Sequence, residues 1–439
     1  MDALRFCSAS FFISRGGISM KRKTLCLVLT LLMLTALLSG CGGKTTVLPT
    51  VFVHGYSGWG SYDARQESLP YFGMNASDLA GHLSDGGYDV YFASVGPHSS
   101  AWDRACELYA QLTGTKTDYG AAHSAACGHD RYGMDFTGRA LIPDFTWDAS
   151  HPVNLVGHSF GGVTVRLLLD LLVDGAPEEQ AAAGSDTSPL FTGGHRGFVH
   201  ALAIIAAPSN GTTAMYVESS GSAFSSDTAG YDPHLEQFGI VSDSAMTEET
   251  AAQMMEEKGF YEHFDSALND MTVDRACAIN AELELQPDVY YYCYYGICTK
   301  DENGLQTPQY TMLAQLRGLA TAMGRYTGTT PGSYTVGFGA GQETFSVPPQ
   351  TIDETLFAND GMVNAVSAYC PYHLDAEGSR VYDAHTDADE GTVPQPGQWN
   401  IYPALSYDHL GLVGGMWPLD RKGLETFYDA LMQRLMQTK

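Results

Sequence analysis

Ser159 stands between Gly157 and Gly161, with Gly162 next, inside the run LVGHSFGGVTVRLLLDLLV from Leu155 to Val173. A serine hydroxyl is a weak nucleophile until a histidine takes its proton and a carboxylate fixes that histidine's tautomer. The surroundings of Ser159 suit such a role. PVNLV upstream reads as a short buried strand, and Val163 to Val173 is an apolar run without Pro or Gly, long enough for a helix. Turning from strand to helix in so few residues strains the turning residue, and only small residues pack two positions to either side. Such a turn lifts the hydroxyl above a sheet and sets it at a helix N-terminus, where backbone N–H groups meet incoming negative charge. Glycine is abundant, 48 of 439 residues, so the pentapeptide can arise by chance and the rest of the chain must supply the base and the acid.

On this kind of scaffold the chain order is Ser, then Asp or Glu, then His. His373, His385 and His409 come late enough. His409, in ALSYDHLGLVGG, ends a strand-like segment near the C-terminus and is the expected base. His385, in DAHTDADEGT, reads as a solvated side chain in a polar loop. Asp360, in FANDGMVNAVS, is the expected acid, because Gly361 and an apolar stretch follow it and predict a turn beside the sheet. On spacing alone Asp353 or Asp408 would serve almost as well.

The elements that position these residues follow from short apolar runs. Strands are predicted at Val51–Val53, Tyr88–Val95, the run before Ser159, and Phe198–Pro208, with a helix over Ser77–Ser84. Strands alternating with helices predict an α/β fold, a mostly parallel central sheet flanked by helices, with ligands at the strands' C-terminal ends. From about residue 212 to 272 the chain turns rich in Ser, Met, Glu and aromatic residues, and TEETAAQMMEEKGFYEHF predicts an amphipathic helix. An insertion of that size after a core strand predicts a helical lid.

The N-terminus carries a different signal. A basic stretch after Met20, the apolar run Leu25–Leu38 and the small residues before Cys41 predict a signal peptide over 1–40, with the true start at Met20 an alternative. Leu-Ser-Gly-Cys is similar to a bacterial lipobox, which implies lipidation of Cys41, a linker over 41–48 and a folded domain over 49–439. The expected location is outside the cytoplasm, with membrane contact through the lipid anchor. Residues 1–40 hold five Lys/Arg and one Asp, so the remainder has 18 basic against 49 acidic residues and a formal charge of −31. That charge argues against nucleic acid as a partner and against electrostatic adhesion to anionic lipid. Export permits disulfides among Cys106, Cys127, Cys277, Cys293, Cys298 and Cys370, and the most local candidate pair is Cys293 with Cys298. No C-x-x-C pair occurs.

Eight segments occur in order: VFVHGYSGWG, GPHSSAWDRACELYAQLTG, DYGAAHSAACGHDRYG, GHSFGG, SPLFTGGHRGF, IIAAPSNGTT, NDGMVNAVS and DHL. Together they resemble the true lipases of Gram-positive bacteria, the thermoalkalophilic bacillus-type and staphylococcal enzymes. The likeness spans about Leu48 to Leu410 and is weak through the lid and through Tyr294–Phe357. It implies an α/β-hydrolase fold cleaving acyl-glycerol esters, with Ser159 as nucleophile, Asp360 as acid and His409 as base. It also implies an oxyanion hole made by the backbone N–H groups of Tyr56 and Phe160, with His54 and His158 as scaffold rather than bases. Phospholipase or polyester hydrolysis by the same residues, and a non-catalytic lipid-binding role, are the alternative readings.

Spacing alone does not make His123 and His129 metal ligands, since His-x5-His is no standard pattern. The resemblance implies zinc near the lid, held by two Asp and two His. Asp103, His123 and His129 match three of those positions, and Glu236, in YDPHLEQFG, stands where the family has the fourth, an aspartate. Four protein ligands would make the zinc structural. Calcium is not expected: Gly411 stands where the family carries a glutamate ligand, and Met416-Trp417 replace its Asp-Pro.

Overall fold

Short runs, mostly apolar and too short for helices, become the strands of one sheet. In the computed structural model, which describes residues 47–217, 264–415 and 418–437, these are β1 (Thr50–Val53), β2 (Val90–Ala93), β3 (Val153–His158), β4 (Val199–Ile205), β5 (Tyr290–Tyr294), β6 (His385–Asp387) and β7 (Trp399–Ile401). Their order is β6-β7-β5-β4-β3-β1-β2, and every neighbouring pair is parallel. The helices that matter to the site are α1 (Leu79–Asp85), α2 (Ala101–Thr113), α3 (Ala121–Cys127), α4 (Phe160–Asp174), α5 (Val273–Glu282) and α6 (Arg421–Gln437). Leu48–Lys439 forms one compact unit.

Both faces of the sheet are covered, so β1 and β3 are buried along their whole length. Side chains alternate between the faces. Val51, Val53, Leu155, Leu202 and Ile204 pack with Val165, Leu168 and Leu172 of α4 and with Leu108 and Leu112 of α2. Phe52, Val156, Ala203 and Ile205 face the other way, onto Leu79 and Leu83 of α1 and Leu424, Tyr428, Leu431 and Leu435 of α6. Those four α6 positions form one helical stripe. Burying a side chain such as Leu168 or Leu431 contributes about 1.5–3 kcal/mol. The expected helix over Ser77–Ser84 is α1, started by Asp78, whose side chain accepts the Gly81 N–H at 3.0 Å.

Three expectations need correcting. The segment leading to His409 is not a strand. Leu405 makes a single bridge with Gly296, and Gly411–Val413 is a 3₁₀ turn. The Asp408 carboxylate bends the chain there by accepting the N–H of Gly411 and of Leu313, each at 2.7 Å. His385 lies on the edge strand β6 rather than in a loop, although its side chain is exposed. The cysteine pair also separates: Cys293 packs in the sheet core and donates to the Ala368 carbonyl, whereas Cys298 belongs to a small cluster with Met312, Leu316 and Ala320. All six cysteines of the described residues are buried free thiols. The signal peptide, Cys41, Glu236 and most of the expected lid, including almost all of its predicted helix, lie outside the described residues. Among the described residues no helix is long and apolar enough to cross a membrane.

Candidate active site

Ser159 ends β3 and opens α4 in a left-handed conformation, φ +54° and ψ −131°. Its N–H donates to Ile205 O at 2.8 Å and its carbonyl accepts the Gly162 N–H at 2.9 Å, so the turn is pinned on both sides. A side chain at Gly157 would overlap the Gly161–Gly162 peptide, and one at Gly161 would overlap the backbone of Val53 and lie 2.6 Å from His54 O. Backbone on both sides cannot yield, so Gly161→Ala should cost at least about 3 kcal/mol, the upper end for overpacking. Urea denaturation measures it, and an unchanged midpoint would contradict the tight turn.

His409 brings Nε2 to 2.8 Å from Ser159 Oγ and Nδ1 to 2.7 Å from Asp360 Oδ2. All three side chains are buried. The other Asp360 oxygen accepts the N–H groups of Met362 (3.0 Å) and Val363 (2.8 Å), and the His409 N–H donates to Asp360 O at 2.9 Å. With Nδ1–H held by the carboxylate, the Nε2 lone pair faces the serine hydroxyl. The other carboxylates weighed for this place are committed elsewhere: Asp353 caps a 3₁₀ turn at Thr355, and Asp408 holds the Leu313 and Gly411 amides.

A second line of hydrogen bonds runs behind the first. His158 Nε2 lies 3.1 Å from the carbonyl of His409, which can only accept, so Nε2 carries the proton and Nδ1 is an acceptor. Tyr71 Oη, 2.8 Å from that Nδ1, must then donate to it, while accepting the Gly55 N–H at 3.0 Å. One phenol thus joins the loop after β1, the end of β3 and the His409 loop. Burial, aided by the adjacent His409, holds the pKa of His158 well below the ordinary imidazole value, and burial with the Arg104 charge lowers His54 to about 3. Neither is suited to act as a base. Removing the Tyr71 hydroxyl strands a buried N–H and a buried ring nitrogen, a cost of about 1–3 kcal/mol. Tyr71→Phe should therefore lower kcat on a soluble ester by roughly 10–100-fold through loosened geometry, and steady-state kinetics at unchanged kcat would remove this role.

Gly55 packs against the nucleophile: a Cβ there would sit 2.6 Å from Ser159 Cβ. Tyr56 follows it, and Phe160 is the first residue of α4, where N–H groups have no partner within the helix. Buried Arg104 braces this loop, donating from Nε to Thr164 Oγ1 (2.9 Å), from Nη1 to Gly96 O (2.8 Å) and from Nη2 to the His54 carbonyl. Neither Tyr71 nor Arg104 was legible as a site residue, because each acts through contacts distant in sequence.

A second cluster lies between α2 and α3. Asp103 Oδ1 is 3.2 Å from His123 Nε2 and 3.9 Å from His129 Nε2. The second carboxylate is Asp265, whose Oδ2 lies 3.4 Å from His123 Nε2 and 3.3 Å from His129 Nε2. Asp265 follows closely where the described chain resumes at Phe264, and no spacing in the sequence marks it. Trp102 stacks on His123 at 5.2 Å, and Tyr119 meets His129 edge-on at 5.4 Å. Despite these approaches, neither oxygen of Asp103 completes a hydrogen bond, nor does Nε2 of either histidine. Donor atoms converge on a shared point instead, as they do around a metal ion. Burial disfavours charge on both histidines, but the carboxylates overcome it, holding His123 well above its usual value and His129 at about 10. Asp265 is held well below the carboxylate range by the two histidines, against its burial, while burial and the Asp265 charge raise Asp103.

Residues 46–329 match the family described as "Lipase-like, C-terminal domain". The chain belongs to that family. It is 31% identical to a lipase of Staphylococcus hyicus over 409 residues, covering 89% of this chain and 57% of the relative, so it spans little more than half that protein's length. The crystal structure of Staphylococcus hyicus lipase superposes with a TM-score of 0.71 at 27% identity, over 90% of this chain and 96% of that one. EstA from Clostridium botulinum gives 0.70 at 28% identity, over 89% and 87%. The parallel α/β sheet expected from the strand pattern, and the α/β-hydrolase architecture implied by the resemblance, are therefore the ones this lipase-like chain has.

Proposed function

We propose that this protein is a serine carboxylic-ester hydrolase acting on acyl glycerols. The observation that carries the reading is the unbroken hydrogen-bonded line from Ser159 Oγ through His409 to Asp360. In this mechanism His409 Nε2 takes the Ser159 proton as Oγ attacks the ester carbonyl, and the developing oxyanion is held by the N–H groups of Tyr56 and Phe160. The protonated His409 then gives its proton to the leaving alcohol. Water, deprotonated by the same nitrogen, attacks the acyl-enzyme and releases the fatty acid and Ser159. Asp360 stays ionised and stabilises the imidazolium throughout.

The staphylococcal relatives named as lipases support an acyl-glycerol substrate, and the low positive charge of the chain supports a neutral one. The test is hydrolysis of p-nitrophenyl butyrate and of emulsified triolein by purified protein beside Ser159→Ala. Turnover of both, lost in the variant, is expected. Cleavage of butyrate alone would make it a short-chain esterase. No turnover of either by folded protein would discard the reading in favour of phospholipid or polyester substrates, or of a non-catalytic lipid-binding role.

The convergent side chains of Asp103, His123, His129 and Asp265 fit a zinc ion, which when bound would act as a structural clamp between α2, α3 and the chain resuming at Phe264. Asp265 supplies a second carboxylate to this set, and Glu236, which the resemblance offers for that place, lies outside the described residues. No calcium requirement is proposed: Gly411 offers no side-chain donor, and Asp408 spends both oxygens on backbone amides. Activity should accordingly survive EGTA in the presence of added zinc, and a large loss under those conditions would refute calcium independence. We also infer export and anchoring through Cys41, on the strength of the Leu-Ser-Gly-Cys sequence. Palmitate label that persists in Cys41→Ser would sink it.

A further inference from the structure

His129 and His123 share one requirement, that Nε2 face the carboxylates. For His129 the other nitrogen is settled by the backbone: Nδ1 lies 2.9 Å from the Asp130 carbonyl, which can only accept, so Nδ1 carries the proton. Metal-binding histidines nearly always have such a partner behind them. At His123 the atom in that place is a sulfur. Cys127 Sγ lies 3.8 Å from His123 Nδ1, within reach of an N–H···S hydrogen bond, and within 4.8 Å of a ligand atom of both His129 and Asp265. The two residues are four apart on α3, so they share one helix face. The end of α3 is held in place, since the Phe338 N–H donates to Ala126 O at 3.1 Å and Gly341 passes too close to that carbonyl to admit a side chain. Trp102, stacked on the imidazole, leaves the ring little freedom to turn.

We propose that Cys127 is a positioning residue of the metal site, its sulfur accepting the Nδ1–H of His123 and thereby turning Nε2 toward Asp103 and Asp265. This rests on the metal reading above. Cys127 is buried, yet it lines a cavity of about 430 Å³ together with His123 and Asp265, which gives a metal ion or a chelator a route to the cluster. In this role the sulfur binds no metal itself.

The test is zinc affinity of the purified full chain, by competition with a chromogenic chelator, for wild type, Cys127→Ala and Cys127→Ser, followed by cobalt(II) loading and absorption spectra. Cys127→Ala should weaken zinc binding by roughly 10–100-fold, the usual cost of losing the partner behind a ligand. Cys127→Ser, whose hydroxyl can accept the same N–H, should recover much of it. Cobalt-loaded wild type should show ligand-field bands without a sulfur-to-cobalt charge-transfer band. Equal affinities in all three proteins would overturn the proposal. So would a charge-transfer band in wild type that Cys127→Ala removes, because sulfur would then be a direct ligand. If wild type binds neither zinc nor cobalt, the metal reading itself falls, and the proposal with it. Labelling of Ser159 by a fluorophosphonate shows that each variant is folded.

Discussion

Ser159→Ala is expected to lower kcat for ester hydrolysis by roughly 10⁴–10⁶-fold while leaving the thermal midpoint almost unchanged. The size follows from the loss of the covalent route, and what remains comes from donors that still polarise the carbonyl. The stability expectation is equally specific: Ala is no worse than Ser at the strained φ of +54°, and the hydroxyl's partner here is the His409 ring nitrogen rather than a backbone group. Asp360→Asn should behave differently. An amide can hold His409 in the wrong tautomer and cannot offset its positive charge, and the corresponding change in serine proteases costs about 10⁴ in kcat. It also exchanges the carboxylate that receives the Met362 and Val363 amides, so some stability should go with it. Rates for the two variants, measured with denaturation curves, separate the chemistry from the scaffold. A Ser159→Ala protein that still turns over ester at a tenth of the original rate would end the proposed mechanism.

Stripping the proposed zinc from the Asp103–His123–His129–Asp265 cluster is expected to have the largest effect on stability. At free zinc a thousand times Kd, binding linkage supplies about 4 kcal/mol, all of which a strong chelator removes. The pH dependence carries a sign that identifies the site. Without metal, burial opposes charge on the histidines but Asp265 and Asp103 keep them protonated, His129 up to about 10. A raised histidine pKa contributes stability that is complete below the unfolded value of about 6.5 and fades as pH climbs through the folded one. Metal binding needs neutral imidazoles and therefore strengthens over the same range. The gap between loaded and stripped protein should widen from about pH 6.5 to about pH 9 in calorimetry. A gap that is absent, or that narrows, would exclude metal at these histidines.

Much of this was legible along the chain because it depends on neighbours. Gly157, Ser159 and Gly161 announce a tight turn, and consecutive apolar residues such as Val51, Phe52 and Val53 announce a strand with two covered faces. Which carboxylate reaches His409 was not decided by spacing: Asp353, Asp360 and Asp408 all accept backbone amides, and only Asp360 also places an oxygen on His409 Nδ1. The strand expected before His409 also did not form: the segment makes only the Leu405–Gly296 bridge and runs into a turn where Asp408 accepts the Gly411 amide. Asp265 and Tyr71 went unread because their partners lie far off, His158 being 87 residues from Tyr71. Such pairings exist only once the sheet has assembled.

The phenol of Tyr71 makes the three loops of the site a single mechanical unit. A disturbance at Gly55, His158 or the His409 carbonyl is transmitted to the other two, so substitutions there should not be independent. Combining Tyr71→Phe with His158→Asn would then cost little more than either alone. Sequence drift at these positions would have to be concerted: a chain that changes one of the three partners must find a compensating change at another before it regains its geometry.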